Sequence, residues 1–170
     1  IRKAFTFNPR LSNKKTKEMS EQIDHDENAV SIHVRRGDYL EPKYWKTTGC
    51  VCQLPYYLNA IAEMNKRISQ PSYYVFSDDI AWVKENLPLP KVFFIDWNKG
   101  TESWQDMMLM SRCRHHIICN STFSWWGAWL NPRENKTVIM PERWFRHCET
   151  PDICPDKWIK VPINQPDSIQ

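Results

Sequence analysis

Two adjacent arginines stand in the segment HVRRGDY, residues 33–39. A guanidinium is a permanent cation whose planar fork of donors matches phosphate oxygens. Because neighbouring side chains point in different directions, one of Arg35 and Arg36 can bind a pyrophosphate while the other braces the fold. The alternative is a surface loop in which the arginines pair with Asp38 and Glu41. The position after an apolar run favours an anion site.

A cluster of hydroxyl side chains follows in the segment NSTFSWWG, residues 120–127. The pattern predicts the start of a helix, where unpaired backbone N–H groups and the positive end of the helix dipole favour an anion. The alternative is ordinary N-capping ahead of a buried aromatic helix face. The candidate binding residues here are Asn120, Ser121, Thr122, Phe123 and Ser124.

Carboxylates stand at two further positions that could face a ligand. Ser77, Asp78 and Asp79 follow an apolar run, where they either cap the next helix or present an acid to a cleft. Asp106 lies among apolar residues of a predicted helix, and its carboxylate could accept hydrogen bonds from the edge of a nucleobase.

Short apolar runs and helical patterns alternate along the chain and must position these residues. Strands are predicted over 29–34, 73–76, 91–95, 116–119 and 137–140, and helices over 54–69, 79–87, 103–113 and from 121 to Pro132. This alternation predicts a Rossmann-like α/β fold, a parallel sheet with helices on both faces. Residues 1–28 form a polar lead-in segment or helix, or a linker from a missing N-terminal domain, and 29–170 form the domain. Four strand ends should then converge on one crevice.

Composition excludes several classes of protein. The net charge is only +3, and the basic residues concentrate near the start of the chain, which argues against a nucleic-acid partner. No run approaches the roughly 18 apolar residues of a membrane span. The glycine motifs of dinucleotide and P-loop sites are absent. The six cysteines and five histidines show no zinc-ligand spacing, so no metal or cofactor is predicted.

Three segments resemble the alpha-1,2-fucosyltransferases, family 11 of the glycosyltransferases: HVRRGDY, YYVFSDD and ESWQDMMLMSRCRHHIICNSTFSWWGAWLNP. They stand in the same order and spacing over roughly residues 29–145. The resemblance implies the C-terminal, donor-binding half of a GT-B glycosyltransferase, with GDP-fucose and a galactoside or other glycan as partners. It further implies inverting transfer to a 2-hydroxyl without an obligatory metal.

The resemblance also implies roles for individual residues. A first-motif arginine, Arg35 or Arg36, contacts the donor pyrophosphate, and His33 and Asp106 are candidates for guanine recognition. Ser121, Thr122 and Phe123 lie where the pyrophosphate is expected, and Asp78 and Asp79 match donor-site residues. Asp38 is our candidate for the general base; the alternatives are that it orients Arg36 and that the N-terminal half supplies the base.

Two other functions and two locations stay open at this stage. The chain could be a GDP or GDP-fucose binding module without turnover, or a fucosyltransferase of another linkage. A bacterial protein would be cytoplasmic, with peripheral membrane association through its acceptor or a missing segment, and a eukaryotic one would lie in the Golgi membrane. A sugar on the Asn120 sequon would block the predicted anion site, which favours the bacterial case. No oligomeric state is predicted.

Overall fold

A parallel sheet is the centre of the fold in this computed structural model, which describes residues 4–164. Within that range six strands pair in the order β3-β2-β1-β4-β5-β6. The strands are β1 (Ala29–Val34), β2 (Ser72–Ser77), β3 (Val92–Ile95), β4 (His115–Ile117), β5 (Val138–Pro141) and β6 (Ile159–Val161). The order reverses between β1 and β4, which is where doubly wound sheets open a ligand crevice. The predicted Rossmann-like fold is confirmed.

Helices connect the strands and cover both faces of the sheet. They are α1 (Lys14–His25), a single turn α2 (Pro42–Tyr44), α3 (Leu54–Arg67), α4 (Ile80–Asn86), α5 (Trp104–Arg112) and α6 (Thr122–Leu130). Period-two alternation along β2 divides the core: Tyr73 and Val75 pack with α3 and α4, whereas Tyr74 and Phe76 pack with α1 and α5. All four side chains are buried.

The start of the chain is part of this packing. Helix α1 begins after its N-cap Asn13 and buries Ile23 against Leu109 of α5. Asp24 of α1 forms an ion pair with Arg112 at the end of α5. The polar segment before residue 29 therefore contains a helix that supports α5.

Two details of the sheet differ from the sequence pattern. We expected β4 over 116–119, but it spans His115–Ile117, because the carbonyl of Ile118 accepts from the Tyr56 hydroxyl and that of Cys119 from the Ser121 N–H instead of from a neighbouring strand. Strand β6 was missed, since it is only three residues long and follows a proline-rich segment. The other strands lie within one residue of their predicted bounds.

The lengths of the helices and the state of the cysteines can be compared with the sequence. None of the helices within residues 4–164 is long and apolar enough to cross a membrane. All six cysteines are unbridged, and Cys119 is a buried thiol.

Candidate donor-binding site

A cavity of about 830 Å³ opens at the carboxyl ends of the strands, beside the β1–β4 reversal. The segments after β1, β2, β3 and β4 all contribute to its wall, so the predicted convergence of four strand ends is confirmed. Its volume lies in the range of pockets that take nucleotide-sized ligands. The wall holds Arg35, Asp38, Asp78, Asp106, Ser121 and Phe123 among the predicted site residues.

Arg35 is the guanidinium that reaches this cavity. Its Nε lies 2.9 Å from Asp38 Oδ1, and its Nη1 lies 3.1 Å from Asp78 Oδ2. Partial burial acts to lower the pKa of Arg35, but the hydrogen bond to Asp38 and the charge of Asp78 raise it. The guanidinium is therefore permanently charged and held on two sides before any ligand arrives. The side chain is still 38% exposed, which leaves donors for an anion.

Arg36 points away from the cavity and braces the fold. Its Nε lies 3.1 Å from Asp79 Oδ2, and its guanidinium carbon lies 4.1 Å from the centre of the Trp82 ring. Only 15% of its side chain is exposed. The structure thus separates the two arginines that the sequence left equivalent, and it ties Arg36 to helix α4.

Gly37 is required by the close approach of the β1 and β2 loops. A Cβ at this position would lie 2.7 Å from Asp78 Oδ2, the oxygen that holds Arg35. The backbone N–H of Arg36 also donates to Asp78 Oδ1 at 2.9 Å. Asp78 therefore links the two loops, and a larger residue at 37 would displace it.

The β2 loop divides its polar residues between two tasks. Ser77 and Asp78 line the cavity, whereas Asp79 does not. Asp79 is the N-cap of α4, since its Oδ1 accepts from the backbone N–H of Trp82 at 3.0 Å. The helix-capping alternative therefore holds for Asp79, and the cleft-facing alternative holds for Asp78.

His33 lines the cavity at the end of β1 and is 7% exposed. Desolvation and, next, the charge of Arg35 lower the pKa of this imidazole to about 3, so it is neutral in ordinary buffers. Its Nδ1 lies 3.2 Å from Cys119 Sγ, and its ring packs 5.6 Å from that of Phe123. Burial raises the pKa of the Cys119 thiol to about 12. The protonated thiol can donate to Nδ1, which leaves the Nε2 proton for a ligand.

The start of α6 brings two of five candidates to the cavity. Ser121 and Phe123 line it, and the Ser121 hydroxyl makes no hydrogen bond that caps the helix. The first backbone N–H groups of any helix lack intrahelical partners, so this end of α6 can receive an anion. Thr122 is exposed and lies outside the lining.

Asn120 and Ser124 are used by the fold instead. The Asn120 amide is 2% exposed and donates to the carbonyls of Thr48 and Trp144, each at 3.0 Å. Ser124 is 1% exposed and donates to the carbonyls of Cys119 and Ser121. Neither side chain reaches the cavity, because both tie the β4–α6 turn to its surroundings. Burial also keeps the Asn120 sequon out of reach in the folded chain.

Asp106 lines the cavity from helix α5 and is partly buried. Desolvation raises the pKa of this carboxyl to about 7, while a hydrogen bond from Asn98 acts in the opposite direction. The bond runs from Asn98 Nδ2 to Asp106 Oδ1 at 2.8 Å. A carboxylate has about four acceptor positions, so most remain for a ligand.

Several lining residues were not predicted. Tyr39 lines the cavity and donates from its hydroxyl to the carbonyl of Asn120 at 3.0 Å, and burial raises its pKa to about 12. The β3–α5 loop forms one wall through Asp96, Asn98, Lys99, Gly100 and Ser103. We expected the loop after β3 to reach the crevice because ligands bind at the carboxyl ends of strands. The individual residues of this loop were missed because they form no recognisable motif. Within residues 4–164, no three His, Cys, Asp or Glu side chains are grouped to hold a metal ion.

Comparisons with known proteins identify the family of the chain. Residues 2–161 match Glycosyl transferase family 11. The chain is 37% identical over 159 residues to an alpha-1,2-colitosyltransferase of Escherichia coli, covering 91% of this chain and 54% of that protein. It is 36% identical over 140 residues to the O-antigen biosynthesis glycosyltransferase WbnK of Escherichia coli, covering 82% and 46%.

An animal relative extends the comparison. The galactoside alpha-(1,2)-fucosyltransferase 1 of Saimiri boliviensis boliviensis is 35% identical over 105 residues, which is 59% of this chain and 28% of that protein. The chain spans about half the length of the bacterial relatives it matches. The family match covers nearly the whole chain and includes every residue of the cavity. The chain belongs to glycosyl transferase family 11.

Proposed function

We propose that the chain is the donor-binding half of an inverting alpha-1,2-fucosyltransferase and holds GDP-fucose in the cavity. The observation that carries the proposal is that Arg35, the start of α6 and Asp106 line one cavity. Two of these features suit a pyrophosphate, and the third suits a base edge with two donors. Guanine presents such an edge through N1–H and N2–H, whereas adenine does not.

The reaction requires charge stabilisation on the donor side. As the bond between fucose C1 and the β-phosphate oxygen breaks, GDP leaves with the electron pair and the sugar becomes cationic. Preorganised donors in a partly dry cleft stabilise such a departing anion without rearranging. Arg35 is held for this task by Asp38 and Asp78. We assign the pyrophosphate to Arg35, Ser121 and the backbone of α6, and we propose that no metal is needed.

Inversion requires the acceptor hydroxyl to approach C1 from the face opposite GDP and to lose its proton. Asp38 stays our candidate base: its carboxylate lines the cavity and is 40% exposed. One of its oxygens is engaged with Arg35 rather than with Arg36. The acceptor we propose is a galactoside, with transfer to its 2-hydroxyl.

A transfer assay tests the proposal. The chain is incubated with GDP-fucose and a β-galactoside in EDTA, and the linkage and anomeric configuration of the product are read by NMR. An α-1,2 product supports the proposal, and Arg35→Ala should abolish it. The matched control is Arg67→Ala, an exposed arginine of α3 that pairs with Glu63 and does not line the cavity. A product of retained configuration, or one that forms only with added metal, contradicts the mechanism.

A second candidate follows from length. Since the chain spans about half of its bacterial relatives, it could bind GDP-fucose without completing transfer. Saturable GDP binding without product would support this binding-module function. The same assay should include GDP-colitose as a donor, because the first relative named above is an alpha-1,2-colitosyltransferase. A preference for GDP-colitose would change the proposed donor sugar but not the proposed binding site.

A further inference from the structure

The residues behind Asp106 form a connected network of amide and hydroxyl groups. Asn98 is 6% exposed, and its Nδ2 donates to Asp106 Oδ1. Its Oδ1 accepts from Asn13 Nδ2 at 2.8 Å and from Thr16 Oγ1 at 3.2 Å. Thr16 is fully buried and also accepts from Trp97 Nε1 at 3.1 Å. Three elements therefore meet at one amide.

The orientation of that amide follows from its partners. A carboxylate only accepts hydrogen bonds, so the NH₂ end of Asn98 must face Asp106. The carbonyl end is then matched by donors from Asn13 and Thr16. A flipped amide would set oxygen against oxygen at Asp106 and nitrogen against nitrogen at Asn13. The start of α1 thus fixes which atom Asn98 presents to the cavity.

Asn13 joins the two ends of this network. Its Oδ1 caps α1 by accepting from the Thr16 N–H at 2.9 Å, while its own N–H donates to Gln105 Oε1 at 2.9 Å. Gln105 is fully buried and directly precedes Asp106 on α5. Residues 13 and 16, which carry no recognisable motif, therefore hold both the asparagine and the helix turn that bears the carboxylate.

We infer that Asn98, fixed by Asn13 and Thr16, is a positioning residue that orients the Asp106 carboxylate towards the nucleobase and sets the preference for guanine. The inference rests on the proposed function, since it needs GDP in this cavity. Asn98 acts through Asp106, which makes the hydrogen bonds to the base. The hydrogen bond also favours the ionised carboxylate, the only form that accepts from both N1–H and N2–H.

Ionisation of Asp106 makes GDP binding depend on pH in a way that a merely structural role of Asn98 would not change. Asn98 lowers the pKa of Asp106, whose value is about 7, so its removal should move the acidic limb of GDP binding to higher pH. His33, with its pKa near 3, does not titrate in this range. Arg35, Asp38, Asp78, Asp96 and Lys99 share the cavity with Asp106, while Lys14, Lys15 and Lys17 lie at the start of α1 and Glu102 lies just before α5.

The experiment is calorimetric titration with GDP and with inorganic pyrophosphate between about pH 5.5 and 9, with a titration at roughly every half pH unit, so that the range spans the pKa of Asp106. The variants are Asn98→Ala and Thr16→Val, and Asn131→Ala is the control, a fully buried asparagine outside the cavity. Comparing each variant with the wild type at each pH cancels titration of the GDP phosphate. Circular dichroism verifies folding.

Asn98→Ala removes a hydrogen bond to a charged group. We therefore expect about a ten- to hundred-fold loss of GDP affinity near pH 7 for this variant. The loss should shrink towards pH 9, and pyrophosphate affinity should change less than about twofold, well below that range. Thr16→Val should give the same pattern in smaller measure. Equal losses for both ligands, or an unmoved pH profile, would overturn the inference while leaving GDP binding intact. Failure of the wild type to bind GDP would overturn the proposed function as well.

Discussion

Arg35 and Asp78 are joined by a salt bridge of 3.1 Å across the ends of the neighbouring strands β1 and β2. The same carboxylate accepts from the backbone N–H of Arg36 through its other oxygen. One aspartate therefore fixes both the cation and the loop that carries it. Preorganisation of this kind lowers the cost of binding because the side chain is already ordered when the ligand arrives.

Replacing Arg35 by alanine should weaken ligand binding, whereas replacing Arg36 should lower the stability of the fold. Arg35→Ala removes charged hydrogen bonds to the pyrophosphate and should weaken GDP binding about ten- to hundred-fold, with little change in melting temperature. Arg36→Ala removes a stacked, largely buried cation and should lower stability by about 1–2 kcal/mol, equivalent to about 2–8 °C in melting temperature. Calorimetry and thermal melting of both variants check this. Loss of binding from Arg36→Ala without loss of stability would reverse the assignment.

This division of roles shows where sequence reasoning stops. The pair of arginines and its position after β1 predict an anion site. Which arginine faces the ligand depends on Trp82 and on Asp79, and Asp79 lies 43 residues further along the chain. Such partners are set by tertiary packing, and no local pattern of the two arginines encodes them.

The same limit applies to Asp106 and to the sheet. Asp106 was singled out as a lone carboxylate among apolar residues, but Asn98 lies in an irregular loop and its partner Asn13 is 85 residues away. Long apolar runs such as β1 and β2 were predicted closely because burial on both faces leaves a continuous signal. The three-residue strand β6 offers too few side chains for any period to show.

A methyl group at position 37 should disturb the site through Asp78. The Cβ of Gly37→Ala would lie 2.7 Å from Asp78 Oδ2, so the carboxylate must shift and release Arg35. We expect about a tenfold or greater loss of GDP affinity, the scale of one charged hydrogen bond. The measurement is a double-mutant cycle with Asp78→Ala. Adding Gly37→Ala to that background should cost little more, and full additivity would refute the mechanism.

The raised pKa of Asp106 predicts a pH-dependent stability. Its folded pKa is about 7, against a reference value of 3.8. Between these values the folded state binds a proton that the unfolded state has released, so stability falls as pH rises through this window. Asp106→Asn should abolish that fall. The variant should melt at a higher temperature than the wild type at pH 8, by up to the equivalent of about 4 kcal/mol.

Thermal melting of both proteins at pH 4.5 and pH 8 measures this effect. The two melting curves should lie much closer together at the lower pH, where the folded-state carboxyl is neutral in the wild type and only a small part of the loss has occurred. The same variant should lose affinity for GDP, because an amide presents a donor to guanine. A variant less stable than the wild type at pH 8 would contradict the account of this carboxyl.

The contact between α5 and α6 should tolerate no extra methyl group. A Cβ at Gly127 would lie 2.9 Å from Met110 Cβ, an atom that cannot move without its helix. Overpacking of this kind typically destabilises by about 1–3 kcal/mol. Chemical denaturation of Gly127→Ala checks the value, and Met110→Gly, which removes the opposing atom, should make the second change nearly neutral. A Gly127→Ala protein as stable as the wild type would show that the helices can separate.

Calorimetric titration of the chain with GDP, with ADP as the control and EDTA throughout, measures whether the cavity binds a guanine nucleotide without a metal. We expect saturable binding of GDP in EDTA, binding of ADP weaker by about tenfold or more for the lost base contacts, and GDP affinity lower by about tenfold or more in Arg35→Ala. Equal affinity for the two nucleotides, or a GDP affinity that removal of Arg35 leaves unchanged, would contradict a guanine-specific donor site in this cavity.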